Sequence, residues 1–599
     1  MMQRASHKSR SVVHTKGAAR AFIDIKSEII NSAFQITEDM QISLSESVAT
    51  CVLEHYWAEI QKQYSADLPF PAPDQRPSWQ PRESILSLLQ ELGVALAKLP
   101  IEFAAYEVGQ LYTLFLPETL RAKHGIFYTP PVLARRLIEK AGNAGTNWEK
   151  AQIIDPSCGG GAFLVPAAVQ IIRALDGASP AMVARNLQTR LEGWEIGDFS
   201  SWLSRFFIEA AAAPITSKTG RFIEPNIRTM DSLQCSENEF TRFDLVIGNP
   251  PFGRMRLDTD TRARYSRSLY GHANLYGIFT ELAIRLAKPG GIVAYLTPAS
   301  FLGGEYFKNL RSLLWEENPP VSLDFVESRK GVFDGVLQET VLATYRKSSK
   351  QNTVKVSSIQ LGLDRLDIAS AGSFKLPKES TDPWIIARHS DDKAVVEQIQ
   401  NLPSRLVDWG YTVSTGPLVW NRYKDQLAGN KTKNSIPIIW SESVTQDGEF
   451  KFRSEKKNHE PYFKLNGDKD NWLKVTQECV LVQRTTAKEQ KRRLIAAVMP
   501  SEFINKYDYV TVENHLNMIY PMVKKPAVSI DVLSAFLNSE ATDRMFRCLS
   551  GSVAVSAYEI ESLPLPGKAQ LTKLKRLVSR NASKAAIETE CMALYGQDL

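Results

Sequence analysis

Residues 153–172 form a single local pattern: an apolar strand that ends at Asp155, a turn of three glycines, and a helix that begins near Ala162. The segment reads IIDPSCGGGAFLVPAAVQII. Strand, glycine turn and helix in this order are typical of a nucleoside-cofactor site, because glycines let the backbone approach a ligand and the helix N-terminus favours an anionic group. The GxGxxG spacing of a pyrophosphate site is missing. The pattern therefore favours a cofactor with one carboxylate, such as the methionine moiety of S-adenosylmethionine; the alternative is a purely structural turn.

Short apolar runs alternate with helical segments from about Gly125 onwards. The runs are AQIID, LEGWEI, NIRTMD, FDLVIGNP, GIVAYLTP, VSLDFVE and ETVLATY. This alternation predicts an α/β fold with a mostly parallel sheet, in which ligands bind at the carboxyl ends of the strands. Before Gly125, apolar residues recur at helical spacing and predict an α-helical N-terminal region.

Two acidic residues end later strands of the predicted sheet. Glu195 ends LEGWEI, at a place where an acid commonly accepts hydrogen bonds from ribose hydroxyls. Asp231 closes NIRTMD and is a candidate acceptor for an adenine amine. For each of them, a solvated surface acid is the competing interpretation.

The segment FDLVIGNPPFGR, residues 243–254, carries the most specific chemistry. An aromatic amine is a poor nucleophile, because its lone pair is delocalised into the ring. Two acceptors, the Asn249 side-chain oxygen and the Pro250 carbonyl, would draw the amine towards tetrahedral geometry. Pro251 and Pro250 fix φ and keep these acceptors preorganised, and Phe252 offers a ring on which the base can stack. The alternative is a plain Pro-Pro turn at the end of a strand.

These two motifs carry a family resemblance. DPSCGGGAF followed by NPPF resembles the S-adenosylmethionine-dependent N6-adenine DNA methyltransferases, and HGIFYTPP ahead of the glycine turn resembles the first cofactor segment of their gamma class. The resemblance implies a class I (Rossmann-like) methyltransferase domain and a catalytic turn of Asn249, Pro250, Pro251 and Phe252. It also implies cofactor contacts from the following residues: Phe127, Tyr128, Thr129, Asp155, Gly159, Gly161, Glu195 and Asp231.

The resemblance also divides the chain and points to DNA contacts. We expect a helical N-terminal region over 1–120, the methyltransferase domain over 121–350, a target-recognition domain over 351–566 and a helical tail over 567–599. A phenylalanine in KGVFDGVLQETVLATY, Phe333, is the candidate for the second face of an extruded base, although a core position is the alternative. The candidate DNA-binding residues are basic: Arg254, Arg256, Arg484, Lys488 and Arg492. For the basic cluster around residues 484–493, a solvated face is the competing interpretation.

Composition excludes several classes of protein. The 599 residues suggest several domains, and 72 basic against 66 acidic side chains give a net charge of +6, which permits an anionic partner without requiring one. Six scattered cysteines without a CxxC pair, and histidines without a paired spacing, predict a reducing, cytoplasmic and metal-free protein. No apolar run is long enough for a membrane helix.

The sequence thus predicts a site-specific DNA adenine-N6 methyltransferase that acts on double-stranded DNA, as the modification component of a restriction-modification or phage-defence system. A separate cognate restriction endonuclease is an expected partner by resemblance only. Two alternatives stay open: methylation of RNA or of a protein glutamine, and a catalytically inactive DNA-specificity module.

Overall fold

The fold is taken from a computed structural model of the chain. It describes residues 37–65, 67–79, 83–117, 119–121, 128–327, 339–362, 365–399, 402–455, 459–486, 491–549 and 554–596.

The N-terminal region is helical, as predicted. Its helices are α1 (Glu38–Tyr64), α2 (Glu83–Leu96) and α3 (Ile101–Phe115). The side chain of Thr37 caps α1 by accepting a hydrogen bond from the Met40 amide at 3.4 Å. Trp57 of α1 packs edge-on against Phe206, with ring centroids 5.6 Å apart. The N-terminal helices therefore share one hydrophobic core with the α/β domain that follows.

One nine-stranded sheet forms the centre of the molecule, with the order β11-β10-β8-β9-β7-β4-β1-β2-β3. Its strands are β1 (Ile153–Asp155), β2 (Leu191–Glu195), β3 (Asn226–Thr229), β4 (Phe243–Gly248), β7 (Ala287–Pro298), β8 (Pro320–Val326), β9 (Thr340–Arg346), β10 (Thr353–Leu361) and β11 (Leu366–Lys375). A small antiparallel ribbon of β5 (Arg254–Met255) and β6 (Ala273–Asn274) follows β4 in the chain.

The helices of this domain connect the strands. They are α4 (Pro131–Asn143), α5 (Leu164–Ala174), α6 (Pro180–Arg190), α7 (Asp198–Ala211), α8 (Ala213–Thr219), α9 (Thr259–Arg264), α10 (Leu275–Leu286) and α11 (Lys308–Glu317). Strands β3, β2, β1, β4 and β7 are mutually parallel, whereas β9 runs antiparallel to both of its neighbours. The predicted α/β fold with a mostly parallel sheet is confirmed. Since β1 lies between β2 and β4, the strand order reverses there, where open α/β sheets bind ligands.

The sheet continues past the boundary predicted at residue 350. Strand β10 pairs in parallel with β8, and β11 pairs antiparallel with β10, so the sheet ends only at Lys375. The polar KSSKQNT segment is the connection between β9 and β10, which explains its composition without a domain boundary.

The C-terminal region contains two four-stranded sheets, β12-β19-β16-β17 and β13-β15-β14-β18. Their strands are β12 (Tyr411–Thr415), β13 (Leu427–Ala428), β14 (Ser435–Ile439), β15 (Tyr462–Lys464), β16 (Cys479–Gln483), β17 (Ala496–Met499), β18 (Thr511–Val512) and β19 (Leu516–Pro521). The helices are α12 (Lys393–Ile399), α13 (Leu406–Trp409), α14 (Ser501–Tyr507), α15 (Ile530–Leu537), α16 (Glu540–Leu549), α17 (Ala557–Glu561), α18 (Thr572–Ser579) and α19 (Lys584–Leu594). Leu574 and Cys591 of the last two helices are buried in the core of this region, so the predicted tail packs on it.

Two features are absent from the described residues. None of their helices is long and apolar enough to cross a membrane. Within the same residues, no group of His, Cys, Asp and Glu side chains has the arrangement of a metal site.

Candidate active site

The carboxyl ends of three adjacent strands bring the two sequence motifs together. Asp155 ends β1, Glu195 ends β2, and Asn249 directly follows β4. Gly248, the last residue of β4, lies so close to the first motif that a Cβ there would be 2.6 Å from Oδ1 of Asp155. The glycine motif and the Asn-Pro-Pro-Phe turn therefore adjoin at one edge of the sheet.

The glycine turn is tied to Glu195. The Gly159 amide donates to Oε2 of Glu195 at 2.9 Å, and the Gly197 amide donates to Oε1 at 3.0 Å. Gly161 has a φ of +87°, a backbone conformation that favours glycine. Helix α5 begins at Leu164, two residues later than predicted, because Ala162 and Phe163 still belong to the turn.

Two carboxyl groups, that of the buried Asp155 and that of the half-buried Glu195, face this edge without a cationic partner. Burial raises the pKa of Asp155 to about 8, with a smaller contribution from the charge of Glu195. Burial also raises the pKa of Glu195, although three backbone amides oppose the shift. Among the described residues, neither carboxyl group has a Lys or Arg in an ion pair, and Oδ2 of Asp155 has no hydrogen-bond partner. Such a pair of acids is suited to a cationic ligand.

The Tyr128 ring packs against the glycine turn. Two glycines leave room for this ring, since a Cβ at Gly160 would be 2.6 Å from it and a Cβ at Gly109 would be 2.1 Å from it. Glycine is required at both positions because any larger residue would displace the ring. Gly109 belongs to α3, so the N-terminal helices hold the cofactor segment in place.

A small pocket lies beside this ring. The residues that line it come from the N-terminal helix α3, from the first cofactor segment and from the glycine turn: Glu102, Ala105, Tyr106, Tyr128, Thr129 and Gly160 among them. The sequence did not indicate Glu102 or Tyr106, because nothing in an amphipathic helix marks the one turn that meets a distant loop.

These residues fit S-adenosylmethionine. The cofactor carries a sulfonium and an ammonium group, and the site offers the carboxyl groups of Glu195 and of the buried Asp155, which has an unpartnered oxygen. The tight glycine turn leaves room for the backbone to approach a ligand. Asp155, Glu195 and the turn are therefore the residues that would hold it.

The amide of Asn249 is held in one orientation. Its Nδ2 donates to Oγ1 of Thr129 at 3.2 Å, and Thr129 is buried. Its Oδ1 is also buried and accepts no hydrogen bond from any described residue. A buried acceptor without a donor is unfavourable unless a ligand supplies the donor. The side chain is thus poised to accept one N–H from a substrate.

The rest of the turn supports a second acceptor and a stacking surface. Among the described residues, no backbone amide donates to the Pro250 carbonyl. The half-buried ring of Phe252 contacts Tyr276 edge-on, with centroids 6.4 Å apart. Within the described residues, the turn therefore combines two acceptors without a donor and an aromatic ring, and its catalytic role stays a prediction.

Other predicted site residues lie elsewhere or outside the described part. Asp231 is exposed, two residues beyond β3, and its Oδ1 accepts the Leu233 amide at 3.0 Å; its contact with the cofactor stays a prediction. Three predicted site residues lie outside the described residues: Phe127, Phe333 and Lys488. Their roles stay predictions.

The predicted DNA-binding arginines fall into two groups. Arg254 and Arg256 are exposed directly after the catalytic turn. By contrast, Arg484 donates from Nη1 to the Asn514 carbonyl at 3.1 Å, and Arg492 donates to the carbonyls of Asn538 and Gln446. These hydrogen bonds connect separate loops, so the structure shows a bracing role for Arg484 and Arg492. Their contact with DNA stays a prediction.

Comparison with known proteins agrees with this geometry. Residues 196–333 match the Eco57I restriction-modification methylase family. The chain is 28% identical over 352 residues to the type II methyltransferase M.BsuBI of Bacillus subtilis and 29% identical over 352 residues to M.PstI of Providencia stuartii. Each alignment covers 57% of this chain and 68% of the relative.

A solved structure shows a similar fold over nearly the whole chain. It is the type IIL restriction-modification enzyme MmeI in complex with DNA, which aligns with a TM-score of 0.54 at 13% identity over 97% of this chain and 96% of the other. The family resemblance that the two motifs carry is confirmed, and so is the methyl donor that it implied. The chain is thus similar to restriction-modification methyltransferases, both in the family match at residues 196–333 and in the alignments with the type II methyltransferases.

Proposed function

We propose that this protein is a site-specific DNA methyltransferase that modifies N6 of adenine, as the modification component of a restriction-modification system. The observation that carries the proposal is the Asn249 amide, whose buried oxygen lacks a donor while its nitrogen is held by Thr129. The exocyclic amine of adenine supplies the missing N–H.

The catalytic turn would act on the amine before any proton leaves. Asn249 accepts one N–H and the Pro250 carbonyl accepts the other, so the nitrogen lone pair points out of the ring plane. Bound S-adenosylmethionine supplies an electrophilic methyl group. Once the amine carries the methyl group, Asn249 and the Pro250 carbonyl would hold its remaining protons until one of them leaves to solvent. The protein contributes preorganised acceptors rather than a strong base.

A base inside a duplex cannot reach this turn, so it must be extruded. Phe252 offers one stacking face, and Phe333 is proposed for the other. Arg254 and Arg256 are exposed beside the turn and are suited to phosphates. The two C-terminal sheets are proposed to read the recognition sequence, and a separate restriction endonuclease to cleave unmodified DNA.

The substrate class is tested by competition. The purified protein is incubated with labelled S-adenosylmethionine and unmethylated genomic DNA, in the absence or presence of excess unlabelled duplex DNA, RNA or bulk protein. We expect label in DNA, reduced only by the duplex competitor. Label in RNA or protein would establish the alternative methyltransferase function, and cofactor binding without any transfer would indicate an inactive specificity module.

Thr129 is expected to orient the catalytic amide. Thr129→Val keeps the volume but removes the acceptor for Nδ2 of Asn249, so the amide can rotate out of its productive orientation. We expect kcat to fall about tenfold, with the Kd for S-adenosylmethionine changed less than about twofold. Rapid-quench transfer assays and calorimetry measure the two quantities.

Thr216→Val is the matched control, because Thr216 is also buried but its hydroxyl donates to a carbonyl of its own helix, that of Ala213. A kcat like that of the wild-type protein is expected for it. An unchanged kcat in Thr129→Val, or equal losses in both variants, would contradict the orienting role.

The raised pKa of Asp155 predicts a proton linkage. Below a pKa of about 8 the free carboxyl group is protonated, whereas a bound cation favours the ionised form. Binding of S-adenosylmethionine near neutral pH should therefore release a proton, and its Kd should increase as the pH falls below about 8. Calorimetry in buffers of different ionisation enthalpy measures this release. In Asp155→Asn the release should fall by at least half; an equal release in both proteins would exclude Asp155 as its source.

A further inference from the structure

An exposed surface beside the catalytic turn combines aromatic rings with cations. We name it the Tyr306 patch and define it by six residues: Arg254, Arg262, Tyr270, His272, Tyr306 and Lys308. The Arg254 guanidinium lies over the Tyr306 ring, 5.9 Å from its centroid, and Nζ of Lys308 lies 3.5 Å from the Tyr270 centroid. Tyr306 is 40% exposed and Tyr270 is 37% exposed. Two large rings thus remain open to solvent, each beside a cation.

The local backbone fixes the patch in place. The His272 ring packs edge-on against Tyr306, with centroids 5.3 Å apart. Gly271, with a φ of +66°, lets the chain pass so close that a Cβ would lie 2.9 Å from the Tyr306 ring. Arg262 donates to the Gly271 carbonyl at 2.8 Å, and Asn309 donates to the Leu269 carbonyl at 2.7 Å. The rings are therefore presented by a braced surface.

The patch is continuous with the catalytic turn. Gly253 follows Phe252, and its carbonyl accepts the Leu275 amide at 3.0 Å, where the β5-β6 ribbon begins. The Phe252 ring contacts Tyr276, and Tyr276 stacks on Phe307 with centroids 5.0 Å apart. Phe307 is the neighbour of Tyr306 in the chain. A row of three rings thus leads from Phe252 to the segment of backbone that carries Tyr306.

The charges of the patch are available to a ligand. Among the described residues, no carboxylate forms an ion pair with Arg254, Arg262 or Lys308. The acids nearest in sequence are Asp258, Asp260 and Glu305. Asp258 is occupied in capping α9, where it accepts from the Thr261 amide at 2.8 Å. Unpaired cations beside exposed rings match a single nucleic-acid strand, because cations neutralise phosphates and rings stack on bases.

We propose that the Tyr306 patch holds the strand that flanks the extruded base. Arg254 and Lys308 contact its phosphates, Arg262 braces the loop that carries His272, and Tyr306 and Tyr270 cover nucleotides that lose a stacking neighbour when the base leaves the helix. This inference rests on the proposed function and names further DNA contacts for the same site. It differs from sequence recognition by the C-terminal sheets, because stacking and phosphate contacts are tolerant of sequence.

The test uses the full-length protein and a fluorescent 40-base-pair duplex (about four helical turns), with Kd measured at several salt concentrations. Tyr306→Ala is expected to raise Kd about tenfold, and Tyr306→Phe, which keeps the ring, to restore most of that loss. The double variant Arg254→Ala/Lys308→Ala should lower the slope of log Kd against log salt by about two, since each phosphate contact contributes about 0.9.

The matched control removes two exposed cations from the opposite edge of the sheet. Arg185 lies on α6, which leads into the amino end of β2, and Lys218 lies on the neighbouring helix α8. Arg185→Ala/Lys218→Ala should leave the salt slope unchanged. The inference would be overturned if Tyr306→Ala had the wild-type Kd and Arg254→Ala/Lys308→Ala had the wild-type salt slope. Methylation of genomic DNA by the wild-type protein is measured separately, so failure of the proposed function is distinguishable from failure of the patch.

Discussion

Replacing Asn249 with alanine is expected to lower kcat for methyl transfer by about 10³-fold while the Kd for S-adenosylmethionine changes less than about twofold. The substitution removes the buried oxygen that we propose accepts an N–H of the target amine. It removes nothing from the acidic pair or the glycine turn, so cofactor binding should persist. Single-turnover transfer to DNA and calorimetry with the cofactor measure the two effects.

Asn238→Ala serves as the control, because Asn238 is an exposed asparagine on the turn before β4. It should have the wild-type kcat. If Asn249→Ala instead loses cofactor binding together with transfer, Asn249 has a structural role, and the proposed chemistry of the turn is wrong.

Replacing Arg311 with methionine is expected to lower the free energy of unfolding by about 3–5 kcal/mol. This arginine of α11 is fully buried, and burial lowers its pKa. It donates to the carbonyls of Phe301, Gly304, Thr381 and Asp382 and, at 3.0 Å, to the Tyr558 hydroxyl. Methionine would leave these buried acceptors without donors. The urea concentration at the unfolding midpoint measures the loss.

Arg267→Met is the matched control. Arg267 is a half-exposed arginine with one ion pair, to Glu317, so its loss should change the free energy of unfolding by no more than about 1 kcal/mol. Similar midpoints for the two variants would contradict the role of Arg311. Because Arg311 joins α11 to residues 381 and 382 and to α17, its loss should also weaken DNA binding more than cofactor binding.

The sequence was sufficient to predict the centre of the molecule. Buried parallel strands are continuous apolar runs, and the Gly and Pro residues at their ends mark where they stop, so Asp155, Glu195 and Asn249 could be assigned to one edge. The limits of the sheet were not predicted: β10 and β11 alternate polar and apolar residues at the edge of the sheet, where they resemble strands of a separate domain.

Contacts between distant residues were beyond sequence analysis. Thr129 was predicted to contact the cofactor, but in the structure its hydroxyl accepts from Asn249, 120 residues away. Gly109 and Gly160 both lie against the Tyr128 ring, and no local sequence pattern pairs these two glycines. Arg484 and Arg492 were predicted from a basic cluster, but the carbonyls that they bind lie in other segments. The composition of a segment indicates its charge, whereas the hydrogen-bond partners of its side chains depend on the tertiary fold.

The most direct test of the central claim identifies the modified nucleoside. DNA incubated with the protein and S-adenosylmethionine is digested to nucleosides and analysed by liquid chromatography with mass spectrometry. We expect N6-methyladenine with the wild-type protein and background levels with Asn249→Ala. A methylated cytosine as the product, or unmodified DNA from a protein that binds both cofactor and DNA, would contradict it.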